Sequence, residues 1–518
     1  MKKLPIGLST LETIIDDGCV YIDKTKFVYD LVNRGKYYFL SRPRRFGKSS
    51  LIDTLKQAFL GNKRLFKGLY LENNWDWDTV YPVIHISFGS GDLSNREELT
   101  IKISSLLNVI ASSYQLELKE TLVSDKFKEL ITKLNSKYQQ KVVILIDEYD
   151  KPILDNIDNS TISTEMRKGL RDFYSVIKDA DQLLEFVFLT GVSKFSKVSL
   201  FSGLNNLEDI TLDPHYADIC GYTQNDLEQH FSDRIAHHQV DLAKLKQWYN
   251  GYNFVGDDSQ KVYNPFDILL FFSKNCLYRG YWFETATPTF LVKLLQKNNY
   301  FIPELDSVTI SDNDLGSFEI DRVPLIALLL QTGYLTIKKV TSIGMQVAYI
   351  LTYPNLEVKM GLNNVLAEIG ANLEMKYQTT NKLDDILRNS KFDQLGQLFA
   401  SHFASIPNSW YINNDMERYE GFYASIVYSF ICSLGYDLTA EDITNHGRID
   451  LTIQMPDKII ILEFKLSKYG NAQDALKQIK EKGYPDKYKS SNLPIHLIGI
   501  SFDPDSRNLA DYAVEQLI

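Results

Sequence analysis

Cysteine, positive charge and long apolar runs are all in short supply in this chain. Its four cysteines, Cys19, Cys220, Cys276 and Cys432, lie far apart, with no CxxC pair and no histidine cluster beside them. That spacing argues against disulfides and against structural zinc. Acidic residues outnumber basic ones, 66 to 56, for a net charge of -10. A general basic coat for nucleic acid is therefore not expected, and any phosphate contact must be local. No apolar run is long enough to cross a bilayer; the longest candidate, at 323–330, stops at Gln331. The N-terminus, MKKLPIGLSTLETIIDDG, carries acids where a secretion leader needs an apolar core. Together these features predict a cytoplasmic protein with no membrane partner.

What is present is a soluble, globular composition, 44% hydrophobic and 24% charged. At 518 residues the chain is long enough for roughly two to four domains. Its organising stretch is KYYFLSRPRRFGKSSLIDTLKQAF, residues 36–59. Tyr37, Tyr38, Phe39 and Leu40 suit a short buried strand, and Leu51, Ile52, Leu55 and Phe59 recur at helical spacing. The intervening loop, with Arg42, Pro43, Arg44, Arg45, Phe46, Gly47, Lys48 and Ser49, then has the form of a phosphate cradle. In a P-loop, backbone amides and a helix N-terminus surround the phosphates, the lysine reaches the β- and γ-phosphates and the hydroxyl binds Mg²⁺. Lys48 and Ser49 fit those roles. Arg42 stands where the general pattern opens with glycine, so only Gly47 supplies glycine's backbone freedom. Alone, the tripeptide also describes a solvated basic loop.

A second stretch decides between these readings. KVVILIDEYD, residues 141–150, is a continuous apolar run ending in acids, as expected of a parallel strand buried on both faces. Asp147 is placed to hold Mg²⁺, and Glu148 to polarise the water that attacks the γ-phosphate of ATP. Further strands are expected at 81–88 and 184–190, with helices at 96–113, 116–137 and 164–179. That alternation predicts an α/β domain whose parallel sheet binds ligand at the carboxyl ends of its strands. Thr190 ends the fourth strand and is a candidate γ-phosphate sensor, or an ordinary turn residue. Asp23 and Lys24 fit a surface turn better than a nucleotide contact.

YIDKT, SRPRRFGKSS, VVILIDEYDKP, LTGVSKFSKVSLFSGLNNLEDIT, WYNGYNF with VYNPFDI, and LLLQTGYLTI together resemble the bacterial AAA-ATPase-like family. Its members usually end in a PD-(D/E)XK nuclease domain, and the resemblance covers nearly the whole chain. It implies an ATPase of the class with an added strand and a catalytic glutamate. It also accounts for Arg42, since the family's own loop has the RPRRFGK form; Ser50 departs from the family's usual leucine. Arg42, Arg44 and Arg45 either contact phosphates or act in trans within a homo-oligomer. The expected layout is an AAA-like P-loop ATPase domain at 1–221, a helical lid at 222–303, a winged-helix-like and helical connector at 304–405 and a nuclease-like domain at 406–518. The lid's aromatics, Trp248, Tyr249, Tyr252, Tyr281 and Trp282, fit a helical core better than base stacking. Residues 304–321 read as a polar connector. After them come a helix and two strands compatible with a winged helix.

Near the C-terminus, GRIDLTIQMPDKIIILEFKL rewards counting register. Pro456 is unsuited to the tightest hairpin turns, so 455–458 forms the connection. Asp450 then pairs with Glu463, Thr452 with Ile461 and Gln454 with Ile459, and Lys465 shares the face of Glu463. Opposed carboxylates call for a cation with oxygen ligands, Mg²⁺ or Mn²⁺. The segment resembles the PD-(D/E)XK signature, which implies Asp450 and Glu463 as metal ligands and Lys465 as the water-activating residue. The same resemblance adds Glu420 as a further acidic ligand and Gln478 on the following helix. Ile449 stands where the signature's name has proline. His446 reads as a turn residue. The expected order is helix 419–434, strands 436–444, 450–454 and 459–466, helix 472–482 and strand 495–502. The function that follows is ATP hydrolysis coupled to metal-dependent cleavage of DNA. The alternative is a nucleotide-dependent switch whose C-terminal domain binds nucleic acid or protein without cutting.

Overall fold

The structure is a computed structural model that describes residues 1–194, 206–256, 261–283, 301–316, 324–368, 373–404 and 420–517. Residues 405–419 around the expected start of the nuclease-like domain, residues 195–205 of the family-like segment, residues 284–300 of the expected lid and 317–321 of the acidic stretch lie outside these. Two compact units account for the chain, residues 1–286 with 309–355 and residues 287–308 with 356–518.

In the first unit, strands β1 (Tyr37–Ser41), β2 (Val83–Ser87), β3 (Val142–Asp147), β4 (Leu184–Gly191) and β5 (Glu208–Asp209) form one sheet in the order β2–β3–β4–β1–β5. Every pairing in it is parallel. β1 and β3 are buried at every residue, which is why both read as unbroken apolar runs. β4 lies between them, so the phosphate-loop strand and the acidic strand are separated by an added strand. Helices Arg96–Ser113 and Ser160–Asp179 start at Asn95 and Asn159, whose side chains accept the amides of Glu98 and Ile162. The helix expected over 116–137 begins only at Val123. The preceding segment is held another way: the Glu129 carboxylate accepts the amides of Lys119 and Glu120, and Lys133 donates to the Glu117 carbonyl.

The lid aromatics form a core, as their spacing predicts. Leu227, Phe231, Leu245, Tyr249, Tyr263 and Phe271 pack together, and Val20 and Ile22 of the N-terminal segment join them. Tyr252, Tyr281 and Trp282 are buried as well. Helix Leu325–Thr332 is followed by β7 (Thr336–Ile343) and β8 (Gln346–Thr352), an antiparallel pair. The acidic stretch is more than a connector. It supplies β6 (Val308–Ser311), which completes a three-stranded sheet in the order β6–β8–β7, and the short helix Asp312–Gly316. Its charged residues hid an alternation of Val308 and Ile310 with Thr309 and Ser311.

The second unit is built on β9 (Asp437–Thr444), β10 (Gly447–Gln454), β11 (Ile459–Leu466), β12 (Ile495–Asp503) and β13 (Asn508–Leu517), in the order β13–β12–β11–β10–β9. Only β11 and β12 pair in parallel among these, so a crossover must join them. Helix Ala472–Glu481 lies in that crossover and packs Leu476 and Ile479 against Ile449, Ile459 and Ile461. Thr452 pairs with Ile461 and Gln454 with Ile459, the register expected from Pro456. The Met455 amide donates to the Lys458 carbonyl at 2.9 Å and closes the connection. β10 starts three residues earlier than expected, at Gly447. β13 is an additional strand that the expected order lacks; its mostly half-buried or exposed residues carry no clear apolar alternation.

Candidate active sites

The first site grows from the end of β1. The chain turns through residues 42–47 and enters helix Lys48–Phe59 at Gly47, whose φ of 89° is a conformation side chains disfavour. Arg45 also has positive φ, 68°, so the loop carries backbone strain at a residue other than glycine. Lys48 is buried and its Nζ donates to the carbonyls of Arg42 and Pro43, each at 2.8 Å. Burial lowers its pKa, with the nearby Asp147 opposing the shift. Ser49 Oγ donates to Asp147 Oδ2 at 2.6 Å, joining the loop to the carboxyl end of β3. A hydroxyl and a carboxylate so placed are the oxygen donors that a Mg²⁺ ion takes beside a phosphate loop.

Glu148 follows at φ 52°. A Cβ added to Gly89 would stand 3.1 Å from its Oε2, so this carboxylate lies against the chain just beyond β2. Burial raises its pKa, Asp147 adds to the shift and Lys48 opposes it. Arg44, Arg45, Lys48, Ser49 and Glu148 line a cleft of about 700 Å³ whose apolar wall includes Ile22, Tyr222, Phe266 and Leu269. The Arg45 guanidinium lies over the Phe266 ring at 4.8 Å.

Arg42 is placed differently from the other two arginines. It is 0% exposed, and its guanidinium donates to the carbonyls of Ser41, Thr211 and Tyr216 while stacking 3.9 Å from the Phe254 ring. As a phosphate contact or trans-acting finger it is therefore corrected: it is an internal tie of the loop. Phe46 is buried against Tyr252 and Phe254, and Trp282 Nε1 donates to the Arg44 carbonyl at 3.2 Å. Pro43 abuts Gly333, where an added Cβ would come within 2.7 Å of it. Lys24 lines the cleft but pairs with Asp226 at 2.9 Å and Asp218 at 3.5 Å. Thr190 is fully buried, and its hydroxyl has no hydrogen-bond partner among the described residues.

The second site forms where β10, β11 and two helices meet. Glu463 is 1% exposed; its Oε1 accepts from Gln478 Nε2, and Lys465 Nζ lies 3.5 Å from the same oxygen while donating to the Phe464 carbonyl at 3.0 Å. Asp450 Oδ2 accepts the Phe464 amide at 2.7 Å. That bond interrupts the ladder one step beyond Leu451–Leu462, where Asp450 and Glu463 would come opposite. Glu420 opens helix Glu420–Cys432; burial raises its pKa and Lys465 opposes the shift. Burial raises the pKa values of Asp450 and Glu463, and each carboxylate is raised further by an acidic neighbour, Glu420 for Asp450 and Asp450 for Glu463.

Among the described residues, Glu463 Oε2 is buried without a hydrogen-bond partner. An orphaned anionic oxygen beside a second buried carboxylate fits a hard divalent cation, which would satisfy both. Among the described residues no three acid, histidine or cysteine side chains are gathered tightly enough to make a complete metal cage. The donor set is thus suited to a cation that keeps water among its ligands.

Comparison with known proteins agrees with the two domain classes. Residues 5–201 match the family model described as predicted AAA-ATPase, and residues 418–512 match that of the PD-(D/E)XK nuclease superfamily. The chain is also 46% identical to a protein from Azotobacter chroococcum mcd 1 described as "Uncharacterized protein in vnfD 5'region", over 100% of this chain and 99% of that one. The chain belongs to the predicted AAA-ATPase family. No solved structure matches it significantly.

Two residues of this AAA-ATPase-like chain escaped the sequence reading. Asp150, fully buried, accepts the amides of Val192 and Ser193 and the Ser193 hydroxyl, fastening the end of β3 to the end of β4. The DEYD string contains it, but nothing in that string names its partners. Glu441 on β9 sits at φ 50° and adds to the raised pKa values of Asp450 and Glu420. Only the completed β9–β10 register brings it beside Asp450.

Proposed function

We propose that this protein hydrolyses ATP and, under control of that cycle, cleaves DNA at a metal-dependent site in its C-terminal domain. The observation that carries the reading is the convergence of Asp450, Glu463, Lys465 and Gln478, with Glu463 Oε2 left unsatisfied among the described residues. A buried carboxylate pair of this kind costs folding energy, and a structural role alone gives no return for it.

At the first site the loop amides and Lys48 bind the phosphates of ATP, Lys48 exchanging its two carbonyl partners for phosphate oxygens. Ser49 and Asp147 hold Mg²⁺, and Glu148, its pKa already raised, orients and accepts a proton from the attacking water. Arg44 and Arg45 face the cleft as further phosphate contacts, and Thr190 is retained as the sensor. At the second site Asp450 and Glu463 would hold Mg²⁺ or Mn²⁺, with Glu420 reaching the ion through water. Bound there, the ion stabilises negative charge on the phosphodiester oxygens. Lys465 positions the attacking water, and Gln478 fixes the Glu463 carboxylate so that its second oxygen stays free.

The test is cleavage of supercoiled and linear DNA in Mg²⁺ or Mn²⁺, with and without ATP, by wild type, Asp450→Ala and Lys48→Ala. Cutting lost in Asp450→Ala, with its ATP dependence lost in Lys48→Ala, is the expected result. ATP hydrolysis without cutting above the Asp450→Ala background would leave a nucleotide switch that binds without cleaving.

A further inference from the structure

The chain carries a net charge of -10, yet the proposed nuclease site must receive a polyanion. Its cations are mostly committed. Lys465 is 19% exposed at the side chain and held by Glu463 and the Phe464 carbonyl. Lys487 is paired with the buried carboxylate of Asp442 and also donates to the Ile443 carbonyl. Arg448 differs. It lies on β10 two residues before Asp450, roughly 7 Å along the strand, and its side chain is 68% exposed.

Arg448 Nη1 pairs with Glu441 Oε2 at 2.6 Å. Both partners reach solvent, and an exposed pair of this kind contributes only about 0–1 kcal/mol. Glu441 holds it from a left-handed backbone position at the edge strand of the sheet, a conformation that is itself unfavourable for a residue with a side chain. The pair borders the carboxylates: Glu441 acts on Asp450 and Glu420, and the Tyr484 hydroxyl feels Glu463, Asp450 and Arg448 together. Gly447 lets that hydroxyl pack close beside Arg448, since a Cβ there would stand 2.9 Å from it. Arginine's planar fork suits a phosphate bidentately, and a phosphodiester can displace so weakly held a carboxylate.

We propose that Arg448 is a phosphate-binding residue for the nucleic-acid backbone, restrained by Glu441 until substrate displaces that carboxylate. The proposal rests on the nuclease reading and makes a prediction that a structural ion pair does not. If Arg448 and Glu441 merely tied β9 to β10, removing either would act in the same direction. As a phosphate ligand and its competitor, they must act in opposite directions.

The experiment measures binding of a short labelled DNA duplex to the full chain by fluorescence anisotropy over a salt series, with Ca²⁺ replacing Mg²⁺ so that DNA stays intact. Arg448→Ala should weaken binding about three- to tenfold and lower the slope of log K against log salt by about 0.9. Arg448→Lys should keep the slope, and Glu441→Gln should tighten binding. An unchanged slope in Arg448→Ala, binding weakened in Glu441→Gln, or no duplex binding by wild type overturns the proposal. Parallel assays in Mg²⁺ separate the two readings. Wild-type cutting that Asp450→Ala abolishes, together with an unchanged Arg448→Ala slope, removes this inference alone; no wild-type cutting above Asp450→Ala removes the nuclease reading.

Discussion

Ser49 donates a 2.6 Å hydrogen bond to Asp147 across 98 residues of sequence, so the phosphate loop and the acidic strand meet through a hydroxyl and a carboxylate. On the proposed reading Mg²⁺ enters between them, and each half of the pair should therefore control metal-dependent affinity. Ser49→Ala is expected to bind ATP no better in Mg²⁺ than in EDTA, whereas wild type gains at least about tenfold from the metal, read by fluorescent-nucleotide titration. Glu148→Gln should retain binding and lose about 10²-fold or more in hydrolysis, because it removes the proton acceptor without touching the cradle.

Arg42 gives a prediction opposite in kind. Its guanidinium satisfies three carbonyls and covers Phe254, so Arg42→Ala leaves buried acceptors unpaired and a gap beside the ring. A loss of about 2–4 kcal/mol in urea denaturation is expected, with hydrolysis falling only as the folded fraction falls. A fully stable Arg42→Ala protein with slow hydrolysis would restore the phosphate-contact role.

The carboxylates of the second site should trade stability for metal. Burial and mutual repulsion raise both pKa values, so neutralising one acid relieves the apo protein. In EDTA, Asp450→Asn is expected to be more stable than wild type by about 1–2 kcal/mol. Mg²⁺ should raise the melting temperature of wild type and not of Asp450→Asn. Equal stabilisation of both by Mg²⁺ would place the metal elsewhere.

His402 sets an acid limit on the second unit. It is buried in helix Leu395–Ala404, stacked on Phe430 at 4.6 Å, and burial lowers its pKa from 6.5 to about 4. Between those values the unfolded chain binds a proton that the folded chain refuses. Stability therefore falls as pH drops below 6.5, by about 2 kcal/mol at pH 5 from this residue. His402→Phe should flatten the pH dependence of denaturation over that interval, whatever its effect on stability at neutral pH.

Much of this could be read from the chain because the signals were local. VVILID spells a strand buried on both faces, and Gly47-Lys48-Ser49 opens the helix that follows β1. Pro456 excluded the tightest turns and so fixed the register that sets Asp450 opposite Glu463, one step beyond the last formed pair, Leu451–Leu462. The signals that failed were those set by distant partners. Arg42 has the charge of a surface residue, and only the carbonyls of Thr211 and Tyr216 explain its burial. Leu116 and its neighbours have helical spacing, but Glu129 and Lys133 capture their backbone from outside. Glu441 adopts a conformation that nothing in its own side chain requires.

The phosphate loop is braced by Tyr252, Phe254, Trp282 and Gly333, all far downstream of it in the chain. A ribosome that has just released the loop and the acidic strand has yet to synthesise the last of these supports. Nucleotide affinity should consequently arise late in translation, and a fragment cut at residue 201, where the family match ends, holds both nucleotide motifs without the residues that stiffen them.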